Sequence, residues 1–442
     1  MLPQFDDKLK SKGNIFYIAY TKDDAPAQDR PILFSFNGGP GSSSVWLHMG
    51  MLGPRRVAMG PDGETPPLPT KIVDNDQSWL DLADLVFIDP VSTGFSRPAE
   101  GEDARQFHGL SEDISSVAKF IKLYLTRNNR WLSPKFVIGE SYGGTRGAGL
   151  AGYLQTNMGI SLNGVILVSP AVDFATLDFR DNNDLPYQMF LPTYAATAWY
   201  HKKLPADLQA KPLADVLKEA ESFASGEYAQ VLELGDRADA SRIDAAAATY
   251  ARLTGLSKDY VRRANLRVRQ SNFAKELLRD EGRTVGRYDA RYKGIDRDGV
   301  GDNPDYDPSY SAVQGAYTAA INAYLRDELK YESDDSYELL TGVWPWRFPE
   351  NGFASTADQL RTAMTQNPSL KVMFAAGHFD MAVPFFATEH VAAHLALDPT
   401  LRGNVRIEEY DAGHMYYLRQ QDLQKAKADA EAFFKDAITP AK

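Results

Sequence analysis

Short apolar runs, each bounded by turn residues, recur along the chain and predict buried strands. Helix-like stretches at 110–128 and 145–157 follow two of these runs. Such alternation is typical of a mostly parallel sheet with helices on both faces, so the core is predicted to be α/β. The strand-like runs lie at 14–20, 31–36, 85–88, 136–138, 165–168, 372–376 and 405–410.

Between about residues 173 and 346 strand signals nearly vanish, and helical patterns broken by glycines take their place. We therefore predict a helical insertion, or lid, at 173–346 within a core made of residues 1–172 and 347–442. An insertion between two core strands would lie over the strand ends. Its aromatic run at 187–194 either lines a substrate cleft or packs the insertion onto the core. Amphipathic spacing predicts helices at 213–221, 244–253, 259–264, 273–279 and 312–329.

Composition narrows the functional classes. The 442 residues are 43% hydrophobic, and the formal net charge of -11 argues for solubility and against a nucleic-acid surface. The absence of cysteine excludes disulfides, thiolate metal sites and a cysteine nucleophile. No apolar run reaches the roughly 18 residues that a membrane span needs, and the first ten residues lack the apolar core of a signal peptide. Neither nucleic acid nor membrane is expected as a partner, and the oligomeric state stays open.

Ser141 stands at the centre of a G-x-S-x-G pattern directly after the strand-like run 136–138. A serine on a sharp strand-to-helix turn adopts a strained backbone conformation, and glycines two residues before and after it remove side chains that would clash. The hydroxyl is then exposed at the end of the strand. Ser141 is therefore the candidate nucleophile, with an ordinary glycine-flanked turn as the alternative.

A serine nucleophile needs a base and an acid that orients the base, and on a parallel sheet these lie in loops after later strands. His414 follows the run 405–410, and Asp380 follows the run 372–376. A surface-loop role is the alternative for both. Two other aspartates compete with Asp380, but Asp398 follows a helix-like stretch, and Asp411 is too close in sequence to His414 to orient its imidazole easily.

A glycine-rich loop follows the early strand-like run 31–36 and contains Gly39. Glycines let backbone N–H groups approach a developing oxyanion without obstruction by side chains. We assign one oxyanion donor to the N–H of Gly39 and the other to the N–H of Tyr142, the residue after the nucleophile. A phosphate-binding loop is the weaker alternative, because the lysine of a P-loop is missing.

Five segments resemble motifs of the serine carboxypeptidase family and occur in the family's order. The chain is similar to a bacterial-type member of that family. The segments lie at 37–44, 88–96, 139–144, 377–380 and 413–415. The resemblance implies an α/β-hydrolase fold with a helical insertion. It also implies hydrolysis of C-terminal peptide bonds through an acyl-enzyme, with peptide or protein C-termini as substrates and no metal or organic cofactor. The family favours export, whereas the missing signal peptide argues against it. By the same resemblance, Ser141, Asp380 and His414 form the triad, Gly39 and Tyr142 the oxyanion hole, and Asn37, Gly38 and Glu140 bind the substrate.

The chain departs from the family at two positions. Ser42 replaces a cysteine, so the disulfide that often braces the glycine loop is absent, and the family's second carboxylate-binding glutamate falls on Met51. A glutamate pair gives the family its acid preference, because a carboxyl must be protonated to donate to a carboxylate. Without the pair, Glu140 either still binds substrate or only braces the turn. We hypothesise that an arginine captures the terminal carboxylate nearer neutral pH. The candidates are Arg55, Arg56 and Arg146.

Other functions remain open at this point. An esterase or an acyltransferase would use the same triad, because acyl-enzyme chemistry does not specify the bond cleaved or the acceptor. A catalytically silent binding protein is a third possibility. His390 and His394 have a metal-ligand spacing, but a solvated helix face is the favoured interpretation of the pair. The acidic loop 296–307 collects carboxylates as calcium loops do, yet it lacks the closing glutamate of an EF-hand.

Overall fold

A seven-stranded sheet forms the centre of the protein in the computed structural model, which describes residues 1–6, 8–23 and 25–439. The strands are β1 (Tyr17–Tyr20), β2 (Ile32–Phe36), β3 (Asp84–Ile88), β4 (Lys135–Glu140), β5 (Gly164–Val168), β6 (Lys371–Gly377) and β7 (Val405–Tyr410). Three of them, β2, β3 and β5, are buried at every position, which explains why their sequences are continuous apolar runs.

The strand order across the sheet is β7-β6-β5-β4-β2-β3-β1, and only β1 runs antiparallel to its neighbour. Glu140 at the end of β4 pairs with Val168 of β5, and Gly377 at the end of β6 pairs with Tyr410 of β7. The carboxyl ends of these strands therefore meet at one edge of the sheet. The prediction of an α/β core is confirmed, and the fold is that of the α/β-hydrolases.

Helices cover both faces of the sheet and fill the connection between β5 and β6. Helix α1 (Leu110–Arg127) illustrates why these segments are helical. Its buried apolar residues recur at helical spacing, and acidic residues in its first turn favour the start of a helix. The buried residues are Ile114, Val117, Ile121 and Leu125. The described residues hold no helix long and apolar enough to cross a membrane. The long helices are α1 (Leu110–Arg127), α2 (Tyr142–Met158), α3 (Leu185–Tyr200), α4 (Leu213–Phe223), α5 (Ala240–Thr254), α6 (Pro308–Ala323), α7 (Ala357–Gln366), α8 (Phe385–Ala393) and α9 (Gln420–Ile438).

The strand predicted at 14–20 is wrong as a single element. Ser11–Ile15 pairs with Leu2–Phe5 and Arg97–Pro98 in a separate small sheet, whereas Tyr17–Tyr20 is β1. The break falls at Phe16, whose N–H donates to the Ser96 hydroxyl at 2.7 Å and whose carbonyl accepts from the N–H of Asp89 at 3.1 Å. Phe16 uses its backbone groups outside both sheets, so the chain changes sheet at this residue.

The connection between β5 and β6 is mainly helical, and it has its own apolar core. Helices predicted at 213–221 and 259–264 are confirmed as α4 and Lys258–Arg263, and the one predicted at 244–253 is α5, which begins earlier, at Ala240. The helix predicted at 273–279 begins earlier, as Gln270–Glu276, and the one predicted at 312–329 begins at Pro308, where the Asp307 carboxylate accepts from the N–H of Ser309 at 3.0 Å.

Sequence reasoning missed helix α3, which carries the aromatic run 187–194. The helix is apolar on nearly all sides, so it lacks the amphipathic period that identifies a surface helix. Tyr194 is fully buried and stacks on Phe273, with ring centroids 4.1 Å apart. The run also shares its apolar cluster with Phe379 and Phe385, which follow β6, so it packs the insertion onto the core, the second of the two roles considered for it.

Candidate active site

Ser141 occupies the turn between β4 and α2. Its backbone lies at φ 62° and ψ -124°, a conformation that costs a non-glycine residue on the order of 1–3 kcal/mol and persists only where neighbours enforce it. Its N–H donates to the carbonyl of Val168 at 2.9 Å. A Cβ on Gly139 would lie 2.0 Å from the carbonyl oxygen of Gly143. The prediction of a strained serine is confirmed, as is the need for glycine two residues before it.

Asp380 and His414 are in direct contact, at the ends of β6 and β7. The Asp380 Oδ2 atom accepts from His414 Nδ1 at 2.7 Å, and its Oδ1 atom accepts from the backbone N–H groups of Ala382 and Val383 at 2.7 and 2.9 Å. Asp380 is fully buried. Because Nδ1 donates to a carboxylate, Nε2 of His414 is left with its lone pair, as a general base requires.

The competing aspartates lie elsewhere. Asp411 Oδ1 contacts Nδ1 of His378 at 3.2 Å, and Asp398 accepts from the backbone and hydroxyl of Thr400. Neither contacts His414. Of the three aspartates, Asp380 is therefore the one placed to orient the imidazole of His414.

The charge of Asp380 tunes the basicity of His414. Burial on its own would lower the pKa of His414, but the charge and hydrogen bond of Asp380, together with the charge of Glu140, raise that pKa above its ordinary value. The imidazole thus accepts a proton more readily than an exposed histidine does. As the pH is lowered, His414 is therefore protonated at a higher pH than an ordinary histidine, and the protonated imidazole can no longer act as a base.

The glycine loop after β2 lies against the turn that carries Ser141. A Cβ on Gly38 would lie only 2.4 Å from the backbone nitrogen of Tyr142 and 2.6 Å from the carbonyl of Glu140, so only glycine allows this approach. Gly39 has φ 106°, which also favours glycine. The backbones of both predicted oxyanion donors, Gly39 and Tyr142, are thereby brought to one place.

A cleft with an empty volume of about 390 Å³, open to solvent, lies at this edge of the sheet. Both Ser141 and His414 line it, so the strained serine and the acid-oriented histidine share one space. Its remaining walls combine the glycine loop with aromatic and apolar side chains. They are Asn37, Gly38, Gly39, Ser42, Trp46, Glu140, Tyr288, Tyr310, Leu340 and Met415.

Glu140 is a buried acid in the wall of the cleft. Burial raises its pKa to about 7, against the opposing charge of His414 and a hydrogen bond from Tyr417, whose hydroxyl donates to Oε2 at 2.7 Å. Asn37 beside it accepts from the N–H of Leu47 through Oδ1 at 3.1 Å, while its buried Nδ2 makes no well-aligned hydrogen bond among the described residues. The Asn37 amide nevertheless lies close enough to Glu140 to oppose the rise in the pKa of that carboxyl. A protonated carboxyl and an amide N–H group are both donors to an anion.

Sequence reasoning missed a short segment of the helical connection, residues 286–290, which we call the strap. The carbonyl of Tyr288 accepts from the N–H of His414 at 2.6 Å, and the carbonyl of Arg287 accepts from the N–H of Met381 at 3.0 Å. Asp289 Oδ2 accepts from the N–H of Gly413 at 3.1 Å. The strap therefore holds the loops of both Asp380 and His414. The sequence of the strap carries no motif. The glycine before His414 is a sequence feature that the strap explains, since a Cβ on Gly413 would lie 2.3 Å from the carbonyl of Tyr288.

The residues considered as metal ligands contact protein groups instead. His390 and His394 stack on each other with centroids 3.9 Å apart, and across the described ranges no cluster of three or more histidine, aspartate or glutamate side chains is arranged for a metal. In the acidic loop, the buried ammonium of Lys275 contacts Asp296 Oδ2 at 2.6 Å and the carbonyl of Asp298 at 2.9 Å. A side-chain cation thus pairs with the first carboxylate of the loop.

Comparison with known proteins agrees with this geometry. The sequence model of the serine carboxypeptidase family matches residues 6–420. The chain belongs to the serine carboxypeptidase family. Within the family, serine carboxypeptidase-like 9 of Arabidopsis thaliana is 27% identical over 186 residues, which make up 39% of this chain and 39% of that protein.

A second relative is the pheromone-processing carboxypeptidase KEX1 of Saccharomyces cerevisiae, 33% identical over 147 residues that make up 31% of this chain and 19% of KEX1. The matched segments span less than half the length of either relative. The crystal structure of Kex1(delta)p, a prohormone-processing carboxypeptidase from Saccharomyces cerevisiae, shares the fold, with a TM-score of 0.61, 16% identity and coverage of 98% of this chain and 88% of that chain.

Both departures from the family pattern have a structural counterpart. The Ser42 hydroxyl accepts from Trp46 Nε1 at 3.0 Å and lies 3.0 Å from the carbonyl of Ser43, so hydrogen bonds brace the loop where the family has a disulfide. Met51 is fully buried in the apolar core. The hydrogen-bond partner of Glu140 is accordingly the phenol of Tyr417 instead of a second carboxyl.

The hypothesis that Arg146 captures the terminal carboxylate is contradicted by its contacts. Arg146 is 1% exposed, and its guanidinium donates to both carboxylate oxygens of Asp113, at 2.8 and 3.1 Å, and to the carbonyl of Asn37 at 2.6 Å. Each of its three guanidinium nitrogens thus donates to a protein group inside the fold. Arg55 is likewise paired, with Asp74 and Glu328. Arg56 lies on the same short strand, Arg55–Val57.

Proposed function

We propose that this protein is a serine-type carboxypeptidase that hydrolyses C-terminal peptide bonds through an acyl-enzyme. The observation that carries the proposal is the hydrogen bond of Asp380 to His414 in the cleft that Ser141 also lines. Within the same cleft, Asn37 and Glu140 offer donors for a terminal carboxylate, with Gly38 beneath them. An aromatic wall is suited to an apolar side chain of the departing residue.

In the proposed reaction, Ser141 Oγ attacks the scissile carbonyl carbon while His414 Nε2 takes the hydroxyl proton. Asp380 stabilises the imidazolium, and the N–H groups of Gly39 and Tyr142 donate to the oxyanion. The imidazolium then protonates the leaving amine, and the C–N bond breaks. Water, deprotonated by His414, hydrolyses the acyl-enzyme and releases the shortened peptide with Ser141 restored.

The proposal extends to the organisation of the chain. Residues 173–346 would form the helical lid over a core of 1–172 and 347–442, and the strap would be the part of the lid that reaches the triad. Peptide or protein C-termini would be the substrates. The bacterial type of this family member and its export stay predictions.

We expect stepwise loss of C-terminal residues from a peptide with a free carboxylate, and no loss from the same peptide ending in an amide. Mass spectrometry of both digests, with Ser141→Ala as the control, measures this. The free acid offers the charge that Asn37 and Glu140 are placed to bind, whereas the amide does not. Trimming of both forms, or of neither, would contradict a carboxypeptidase.

An esterase or an acyltransferase remains the second candidate, and burial of Met51 is the observation that favours it. Without a second acid beside Glu140, recognition of a terminal carboxylate rests on fewer donors. Ser141-dependent hydrolysis of a simple ester, with no trimming of either peptide, would support this alternative.

The ionisation of Glu140 predicts how substrate binding depends on pH. Its raised pKa of about 7 means that the protonated donor is present below this pH and is lost as the pH rises through it. Between pH 6 and 8 we expect KM for a free-acid peptide to rise about ten-fold, as the protonated fraction falls. On the acid side, protonation of His414 lowers kcat/KM, so the plot of kcat/KM against pH is bell-shaped. Because Glu140 and His414 affect each other's ionisation, the two apparent pKa values belong to this pair together.

The variant Glu140→Gln tests this assignment, because an amide donates at every pH. Its KM for the free acid should stay constant between pH 6 and 8, while the acid limb from His414 remains. Steady-state kinetics on the free acid and on an ester give the comparison. A KM that rises equally in Glu140→Gln and in the wild type would assign the alkaline limb to another group.

A further inference from the structure

Arg287 of the strap lies next to Tyr288, which forms part of the wall of the cleft. Its side chain is exposed, and its guanidinium carbon lies 5.4 Å from the ring centroid of Tyr288. The ring of Tyr288 in turn lies 5.0 Å from that of His414 and lines the cleft together with Ser141. One aromatic ring therefore connects the cation to the catalytic histidine.

The backbone of Arg287 is fixed on both sides. Its N–H donates to Asp307 Oδ1 at 3.0 Å, and its carbonyl accepts from the N–H of Met381, the residue after Asp380, at 3.0 Å. The next carbonyl, that of Tyr288, is bonded to the N–H of His414. Because Met381 and His414 belong to the catalytic loops, the position of the Arg287 backbone relative to the triad is determined by the fold.

The guanidinium of Arg287 forms no ion pair with a carboxylate of any residue that the structure describes. Its neighbour Arg291, by contrast, is buried and paired with Asp289. The positive charge of Arg287 opposes the rise in pKa of both Tyr288 and His414, so its field reaches into the cleft. A cation beside a cleft, with no carboxylate partner among the described residues, is a recognition element for an anion.

We propose that Arg287 binds the terminal carboxylate of the substrate and supplies the interaction for which the family's second glutamate is absent at Met51. This inference rests on the proposed carboxypeptidase function. A guanidinium binds a carboxylate through two parallel N–H groups and needs no protonated acid, so it works where Glu140 is ionised. The three arginines considered from the sequence do not line the cleft, whereas Arg287 adjoins one of its walls through Tyr288.

The test measures binding separately from turnover. In the Ser141→Ala background, calorimetry at pH 8 gives Kd for one peptide as the free acid and as the amide, and for an amide peptide that ends in glutamate. Arg287→Met should weaken binding of the free acid roughly ten-fold and leave both amides nearly unchanged. Arg287→Lys should fall between, because it keeps the charge but loses the planar fork.

Arg283→Met is the matched control, because Arg283 is exposed just before the strap and, among the described residues, its guanidinium bonds only to the carbonyl of Gly282. It should bind all three peptides like the parent. Equal loss of free acid and amide in Arg287→Met, no loss of either, or a loss confined to the glutamate amide would each overturn the assignment. Wild-type protein that binds the free acid through Arg287 yet trims no peptide would instead refute only the carboxypeptidase function.

Discussion

Replacing Ser141 with alanine is expected to lower kcat for the free-acid peptide by about 10⁴-fold or more, with little change in stability. No acyl-enzyme can form without the hydroxyl, and the residual rate would come from binding and the oxyanion donors alone. The substitution also removes no hydrogen bond that the fold uses, because the backbone of residue 141 makes the turn's contacts. Single-turnover kinetics and labelling with a fluorophosphonate measure the loss.

Ser42→Ala is the control for this experiment. Ser42 lines the same cleft, but its hydroxyl bonds to Trp46 and to the backbone of Ser43. This variant should still be labelled by the fluorophosphonate, whereas Ser141→Ala should not. Labelling of the Ser141→Ala protein would show that another residue is the nucleophile, and absence of labelling in the wild type would favour the silent binding protein.

The second large effect concerns stability. Arg146→Met is expected to destabilise the protein by about 3–5 kcal/mol, because it leaves the carboxylate of Asp113 buried without its partner. The pair is almost fully buried, with the two side chains 1% and 2% exposed. Burial raises the pKa of Asp113, and the charge of Arg146 opposes that rise, so removing the arginine would raise this pKa further. Urea unfolding followed by circular dichroism gives the free energy of unfolding.

Arg361→Met provides the comparison on the surface. Its ion pair with Asp358 spans one turn of α7, and the side chains are 44% and 78% exposed. Such a pair contributes about 0–1 kcal/mol, so this variant should unfold close to the wild type. The double variant Arg146→Met with Asp113→Leu should recover part of the loss, because no buried charge is then unpaired. An Arg146→Met protein as stable as Arg361→Met would refute the structural role of the pair.

Local sequence patterns were sufficient for the parallel strands of the central sheet and for the triad candidates. Ser141, Asp380 and His414 each follow a strand of a parallel sheet, and that position alone predicts that they meet at one edge. The contact of His414 with Asp380 at 2.7 Å agrees with that prediction. The strained turn was equally predictable, since the glycines around Ser141 have a local steric cause.

Contacts between distant segments were not predictable in the same way. Arg146 looked like a free cation near the nucleophile, but its partner Asp113 lies on another helix, and nothing in the sequence around either residue indicates the pair. The strap was missed for the same reason, because its hydrogen bonds to the loops of Asp380 and His414 come mostly from backbone groups. Backbone carbonyls carry no sequence signature.

The hydrogen bond from His414 to the carbonyl of Tyr288 has a consequence for protein engineering. A minimal hydrolase made by excising residues 173–346 would lose this acceptor, along with the side-chain oxygen of Asp289 that receives the N–H of Gly413. Phe379 and Met381, on either side of Asp380, would also lose the apolar side chains that cover them. Such a truncated protein would keep every residue of the triad and still lack the scaffold that aligns two of them.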